Sequence, residues 1–247
     1  MQDTRIIMGM PITIQVTDSA KQADLDAIFS YFEAIDERYS PYKEDSELSR
    51  INQGLSIDEA SSEMRYVLEL CEQTKAETNG YFDIRNNNSI DTSGLVKGWA
   101  IQNAANQLKL AGFENFFIEA GGDVAISGHN NTEELWQLGI RNPFNIQEIV
   151  KVLAVTNCGV ATSGTYVRGN HIYDPVHNHT RPKGVQSLTV VGPNIYEADR
   201  YATAAFAMGA YGIGFIEQLK GFEAYMIDNK KIATYTSGFE KYVAAIH

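Results

Sequence analysis

Apolar and polar residues alternate near the start of the chain, placing Ile12, Ile14 and Val16 on one face of a predicted strand, with Arg5 to Met8 leading into it. The period then changes. After Asp18-Ser19, Leu25, Ile28, Phe29, Phe32 and Ile35 recur at helical spacing until Ser40-Pro41 stops the run. Asp45-Ser46 is placed to cap a short helix through Leu48 and Ile51, and a longer helix turns Met64, Val67, Leu68 and Cys71 inward before ending at Asn79-Gly80. A third helix begins near Ser93, with Val96, Ala100, Ala104 and Leu108 inward and Gly112 just past its end. From Asn115 onward strand patterns dominate, through NFFIEA, VAIS, LWQLGI, VKVLAV, the stretch from Val160 to Val167, and SLTVV. A helix over about Glu197 to Met208, another running to Leu219, and a hairpin of EAYMID with KIATY close the pattern.

Helical runs segregate from strand runs, which predicts an α+β fold with mainly antiparallel sheets and flanking helices. No linker, repeat or low-complexity tract interrupts the 247 residues, so one compact domain over 1–247 is expected. The chain is 44% hydrophobic and 21% charged, ordinary for a globular protein. Its net charge of −11 argues against a general nucleic-acid or anionic-membrane surface, and no stretch approaches the length of a membrane span. The first twenty residues carry no apolar core of signal-peptide type. Cys71 and Cys158 have neither metal-type spacing nor a disulfide framework. A reducing, cytoplasmic setting is expected, an exported form stripped of its signal being the alternative.

Candidate chemistry concentrates in Ile90 to Gly128, where an Asp-x-x-Gly-x-x-Lys-Gly entry leads into a helix and a Gly-Gly-Asp corner follows the next strand. Glycines there let backbone approach a ligand, and a lysine beside them suits a phosphate. Lys97 either contacts such a phosphate or runs along a helix surface, and Asp91 either binds a ligand or caps locally. Gly121-Gly122-Asp123 reads equally as a tight corner between strands. Asp199 and Thr203, four apart on a predicted helix, share one face and offer two hard oxygen ligands to Mg²⁺. The alternative is an exposed acid near a helix start and a threonine bonding to its own turn. His171 can act as a general base near neutral pH, or be structural. His177 and His179, two apart, fit a polar loop better than a metal site. No Gly-x-Ser-x-Gly, Walker lysine loop or dinucleotide fingerprint is present.

Taken in order, these segments resemble one family over nearly the whole chain: the FAD:protein FMN transferases, or ApbE family. The matching stretches are MGM at Met8, SPYKEDSELSRIN from Ser40 to Asn52, GYFD from Gly80 to Asp83, DTSGLVKGWA, EAGGDVAISG, ATSGTYVRGNHIYDP and EADRYATAAFAMG. The resemblance implies an ApbE-like, T-fold-related architecture. It also implies a reaction in which Mg²⁺ helps to split FAD, the substrate, and FMN passes to a threonine of an acceptor flavoprotein, leaving AMP. The acceptor carries a short threonine flavinylation motif that this chain lacks.

Carried over by position, Met8, Tyr42, Asp91, Lys97 and Tyr173 resemble FAD contacts. Gly94 falls where a backbone carbonyl ligates the metal, Asp199 and Thr203 match its side-chain ligands, and His171 resembles the catalytic histidine. Three stretches depart from the family pattern. FDIRNNNS replaces a substantial insertion that normally contributes flavin contacts, Gln102 stands where Asp is frequent, and HNHT follows Asp174-Pro175. The competing expectations are therefore an Mg²⁺-dependent FAD pyrophosphatase giving FMN and AMP, and a flavin-binding protein without turnover.

Overall fold

The computed structural model describes residues 1–86, 89–165, 172–177 and 179–244. Its strands, numbered along the chain, are β1 (Gln2–Ile7), β2 (Met10–Val16), β3 (Arg85–Asn86), β4 (Ser89–Ile90), β5 (Phe116–Ala120) and β6 (Asp123–Ser127). They continue with β7 (Trp136–Asn142), β8 (Asn145–Val155), β9 (Cys158–Gly164), β10 (Ser187–Gly192), β11 (Glu223–Ile227) and β12 (Ala233–Tyr235). The helices are α1 (Gln22–Tyr39), α2 (Glu47–Asn52), α3 (Ser62–Glu77), α4 (Ser93–Leu110), α5 (Ile195–Ala207) and α6 (Gly212–Glu217). The predicted α+β class with antiparallel sheets and flanking helices is what the chain adopts.

Eight strands form one sheet in the order β1-β2-β5-β6-β9-β10-β11-β12, every neighbouring pair antiparallel. The β7–β8 hairpin forms a separate two-stranded sheet, and β3–β4 a second short one. The central strands β6 and β10 are buried along their whole length, which requires cover on both faces. Helices supply one cover, where Ile12, Ile14, Phe29, Phe32, Leu95, Ile101, Phe116 and Phe206 share a large core. The β7–β8 hairpin supplies the other, packing Trp136, Ile140 and Leu153, together with Phe239 from the segment after β12, against Val124, Ile126 and Val160 of the sheet.

Two hairpin turns at one end of the sheet shape the wall of the cavity described below. Ile7 pairs with Met10 around Met8-Gly9 (φ 55° and 71°), and Ala120 pairs with Asp123 around Gly121-Gly122 (φ 59° and 97°). Two consecutive positive φ values make two-residue turns whose twist matches the strands they join. The pairing of Ile12 with Ala120 brings the two turns side by side.

Helix boundaries follow local chemistry. Ser46 and Ser61 cap α2 and α3 by accepting from Ser49 N and Met64 N, and Asn194 caps α5 by accepting from Glu197 N. The α4 pattern looks amphipathic from Val96, Ala100, Ala104 and Leu108 alone. The structure buries Leu95, Gly98, Trp99, Ile101 and Ala105 as well, because α4 lies between α1 on one side and α5 on the other. On α5, Arg200 faces away from the cavity. It donates to Glu197 Oε2 (2.8 Å), Thr74 Oγ1 (3.2 Å), Tyr201 Oη (3.0 Å) and Glu77 of α3, with its guanidinium over the Tyr201 ring. That network ties α5 to α3.

α5 also lies directly on β9. A Cβ added to Gly159 would meet Ile195 N at 2.2 Å and Asn194 C at 2.3 Å, backbone atoms that have no rotamer to change. Gly159→Ala is expected to destabilise the fold by about 1–3 kcal/mol or more, as overpacking does. A lower urea midpoint measures it, and an unchanged midpoint would show that α5 does not need this close approach.

Candidate active site

The site begins where the chain turns into α4. Asp91 Oδ1 accepts from Ser93 N at 2.9 Å, and Asp91 N donates to Ile84 O at 2.8 Å, which fixes the approach to the helix. Ser93 and Gly94 then form the first turn of an 18-residue helix, whose unpaired N–H groups and macrodipole favour an anion. Lys97 follows Gly94 by three residues and so shares its face.

Asp199 approaches from α5. Its side chain is buried (3% exposed), and its Oδ2 accepts from the backbone N–H of Gly98 at 2.8 Å. Only glycine permits this, since a Cβ at position 98 would stand 2.6 Å from Asp199 Cβ and 2.9 Å from its Oδ2. Within a helix the Gly98 N–H is aimed at the Gly94 carbonyl. A carboxylate competing for that N–H leaves acceptor capacity on Gly94 O, and Thr203 Oγ1 donates to it at 3.4 Å. Thr203 therefore does not simply bond back to its own helix. It faces α4, one turn along from Asp199 on the same side of α5.

Lys97 is likewise no surface lysine. Its ammonium makes a close ion pair with Asp123 Oδ2 and lies 3.5 Å from Asp199 Oδ1. Asp123 is fully buried at the start of β6, and its Oδ1 accepts from Thr162 N of β9 at 2.9 Å. Burial pushes the Asp199 carboxyl up to about 7, with Asp123 adding to the effect while Lys97 and the Gly98 N–H oppose it.

Two cavities meet at this cluster. The larger, about 580 Å³, is lined by Lys97, Asp199, Glu119, Gly9 and Gly121-Gly122, and on its far side by Leu138 to Arg141 of β7. The smaller, about 300 Å³, holds Asp91, Tyr173, Tyr81, Phe82 and Asp83. Ser93, Gly94, Ile172 and Thr203 line both. Burial raises the Tyr173 hydroxyl to about 12, and the carboxylates of Asp91 and Asp83 contribute. In these volumes and linings the pair suits one elongated ligand with an anionic middle.

The donor set at the junction comprises a carboxylate (Asp199), a hydroxyl (Thr203) and a carbonyl (Gly94). All are hard oxygens of the kind Mg²⁺ takes, with remaining positions left to water or substrate phosphate. The residues present therefore fit that cation. Among the described residues no three His, Cys, Asp or Glu side chains gather as a metal site. His177 pairs with Asp174 through Nδ1 at 2.8 Å, as a polar loop residue. The two thiols are buried, and burial pushes Cys158 up to about 12 and Cys71 higher still, which leaves neither as a nucleophile.

Of the residues singled out from sequence, the structure brings together Asp91, Gly94, Lys97, Tyr173, Asp199 and Thr203. Met8 sits in the turn next to the cavity but packs partly against the core, while its neighbours Gly9 and Met10 do the lining. Tyr42 is 93% exposed and lines neither cavity. His171 lies outside the described residues. Sequence reading missed Asp123 as the partner of Lys97, and the only signal was an acid at the end of a Gly-Gly corner. Gln102, in place of the frequent Asp, accepts from Ile195 N at 3.3 Å at the start of α5.

Known proteins share this fold. A family model described as the ApbE family matches residues 8–87 and 84–226. Its two stretches join at FDIRNNNS, where β3 pairs with β4. The FAD:protein FMN transferase of Vibrio cholerae serotype O1 is 29% identical over 165 residues, covering 63% of this chain and 48% of that protein. The protein of the same description from Haemophilus influenzae is 27% identical over 165 residues, covering 62% and 48%. The chain thus spans about half the length of the curated relatives it matches. Among solved structures, the flavin transferase ApbE from Vibrio cholerae has a TM-score of 0.83 at 23% identity, over 98% of this chain and 99% of that one. The ApbE protein from Thermotoga maritima gives 0.87 at 20% identity, over 99% of both. At those identities the likeness is one of fold.

The buried Asp199 makes a prediction about pH. Its folded pKa of about 7 lies above the unfolded value near 4, so the folded state holds the extra proton between them. Stability from this group is complete below about pH 4 and is lost as pH rises towards 7. In metal-free buffer, Asp199→Asn should gain stability relative to the parent chain as pH rises from about 4.5 to about 7.5, read by urea unfolding at each pH. A constant difference across that range would refute it.

Proposed function

The chain belongs to the ApbE family, and from that premise we propose that it is an Mg²⁺-dependent transferase. It moves the FMN moiety of FAD onto a threonine hydroxyl of an acceptor protein and releases AMP; what supports the transfer is that its relatives are described as FAD:protein FMN transferases. The observation that carries this reading is the convergence at the cavity junction. The carbonyl of Gly94, Asp199, Thr203 and the Lys97 ammonium arrive there from two helices distant in sequence, at the N-terminus of α4.

FAD is two nucleotide-like halves joined by a pyrophosphate, and two cavities that meet at a helix N-terminus match that division. The α4 N-terminus and Lys97 would hold phosphate oxygens there. Asp91 and the Tyr173 ring would offer a carboxylate and an aromatic face to the half lying in the smaller cavity. Gly94 O, Asp199 and Thr203 would hold Mg²⁺, whose charge offsets that developing on the pyrophosphate oxygens. The threonine oxygen forms a bond to the FMN phosphorus, the bridging P–O bond breaks towards AMP, and the hydroxyl proton passes to a base. The family resemblance gives that last task to His171.

The test incubates the purified chain with FAD, Mg²⁺ and an acceptor bearing the threonine motif. An acceptor band that stays fluorescent under denaturing conditions is expected, with one AMP released per flavin attached. AMP and FMN appearing at the same rate without acceptor would make the protein a pyrophosphatase, and bound FAD with no AMP would make it a flavin-binding protein. Asp199→Ala should abolish Mg²⁺-dependent turnover with the circular dichroism spectrum retained, and full activity at saturating FAD and Mg²⁺ would remove Asp199 from the metal site.

A further inference from the structure

Two charged groups, Lys97 and Asp199, line the larger cavity, and a third, which the proposed function does not use, lies buried against Lys97. Asp123, the third, is a fully buried carboxylate with a fixed position. The Gly121-Gly122 turn sets where β6 starts, and the Thr162 N–H of β9 holds Asp123 Oδ1 at 2.9 Å. Its remaining oxygen faces the Lys97 ammonium, which is closer to Asp123 than to Asp199. Asp199 for its part has Oδ2 engaged by the Gly98 N–H, so Oδ1 is the oxygen it offers to the cavity, with Lys97 3.5 Å away.

We propose that Asp123 is a positioning residue for the cation site: it holds the Lys97 ammonium against the sheet and so keeps Asp199 Oδ1 for a divalent cation. The proposal rests on the reading of Asp199, Thr203 and Gly94 as a magnesium site. Two carboxylates sharing one ammonium leave a net negative charge for the incoming ion. With the carboxylate of Asp123 replaced by a neutral group, Asp199 is the carboxylate already beside the ammonium at 3.5 Å, and the lysine then occupies the oxygen that the cation requires. Asp123 thereby decides which of two acids a lysine satisfies. The consequence falls on metal affinity, although Asp123 is not a ligand itself.

The experiment is a Mn²⁺ titration of the metal-free full chain, with free Mn²⁺ read by electron paramagnetic resonance and Mn²⁺ serving as probe for Mg²⁺. Asp123→Asn should raise the Mn²⁺ Kd about 10–100-fold, the usual cost of removing a group that orients a metal site from behind its ligands. The amide oxygen of the substituted side chain can still accept from Thr162 N, so the turn keeps its anchor. Combining Asp123→Asn with Lys97→Met should bring Kd back to within about twofold of Lys97→Met alone, since no ammonium remains to be held.

A purely structural role, or a simple through-space charge effect, would leave the double variant weaker than Lys97→Met. Either that result or an Asp123→Asn Kd equal to the parent's overturns the proposal. If Asp123→Asn alone does not fold, the comparison of Lys97→Met with the double variant decides by the same criterion, because the double variant buries neither charge. The metal reading itself fails separately, if the parent chain binds no Mn²⁺ or if Asp199→Asn binds it equally well.

Discussion

A carboxylate buried between two helices sets the geometry of everything around it. Asp199 lies in the α4–α5 contact with one oxygen on the Gly98 N–H, and a charge in that position must be compensated or neutralised. The structure compensates from three sides, with a backbone N–H, a lysine and the neighbouring cavity. Close approach makes this possible. Gly98 removes the side chain that would separate the helices, and Gly159 lets the start of α5 rest on the central sheet. Behind α5, the Arg200 network with Glu77, Thr74 and Tyr201 holds the helix against α3, so that the face carrying Asp199 and Thr203 stays turned towards α4.

Once the two helices are locked in this way, the rest of the site is placed by the sheet. The Met8-Gly9 and Gly121-Gly122 turns lie side by side because β2 pairs with β5, and together they wall one end of the larger cavity. The second of them also starts β6 at Asp123 and so brings a second carboxylate under Lys97. The β7–β8 hairpin, outside the main sheet, covers the second core and lines the cavity's far side with Leu138 to Arg141. The proposed function is thus built on rigid elements, which suits a reaction that depends on positioning charge more than on covalent chemistry.

Much of this architecture was legible along the chain. Helix starts at Ser46 and Ser93, ends near Gly80 and Gly112, and the strand patterns from β5 to β11 follow from local periodicity and capping. The shared face of Asp199 and Thr203 followed from their spacing alone. Other features resisted. The pattern of α4 shows one apolar stripe, whereas helices on both sides bury nearly its whole circumference. Asp123 reads as a turn residue because its partner, Lys97, comes from a different element and is brought to it only by the fold. Gln102 stands out along the chain only as a departure from the family pattern, and its contact with the first N–H of α5 comes from the fold. Tyr42, placed by resemblance among the flavin contacts, stands exposed and away from both cavities.

By itself, then, the sequence determined the longer helices and most strands, though not β1 as a separate strand or the β3–β4 pair, together with their order, the antiparallel α+β class and the residue types available for chemistry. These depend on interactions within a few residues, and periodicity records them directly. Only the tertiary structure decided that Asp199 meets Gly98 across 101 residues, that Lys97 turns to Asp123, and that two cavities join at Gly94 and Thr203. Each of those contacts depends on which strands become neighbours and how closely two helices can approach. A one-dimensional pattern marks a face as buried, but it does not say what it will be buried against.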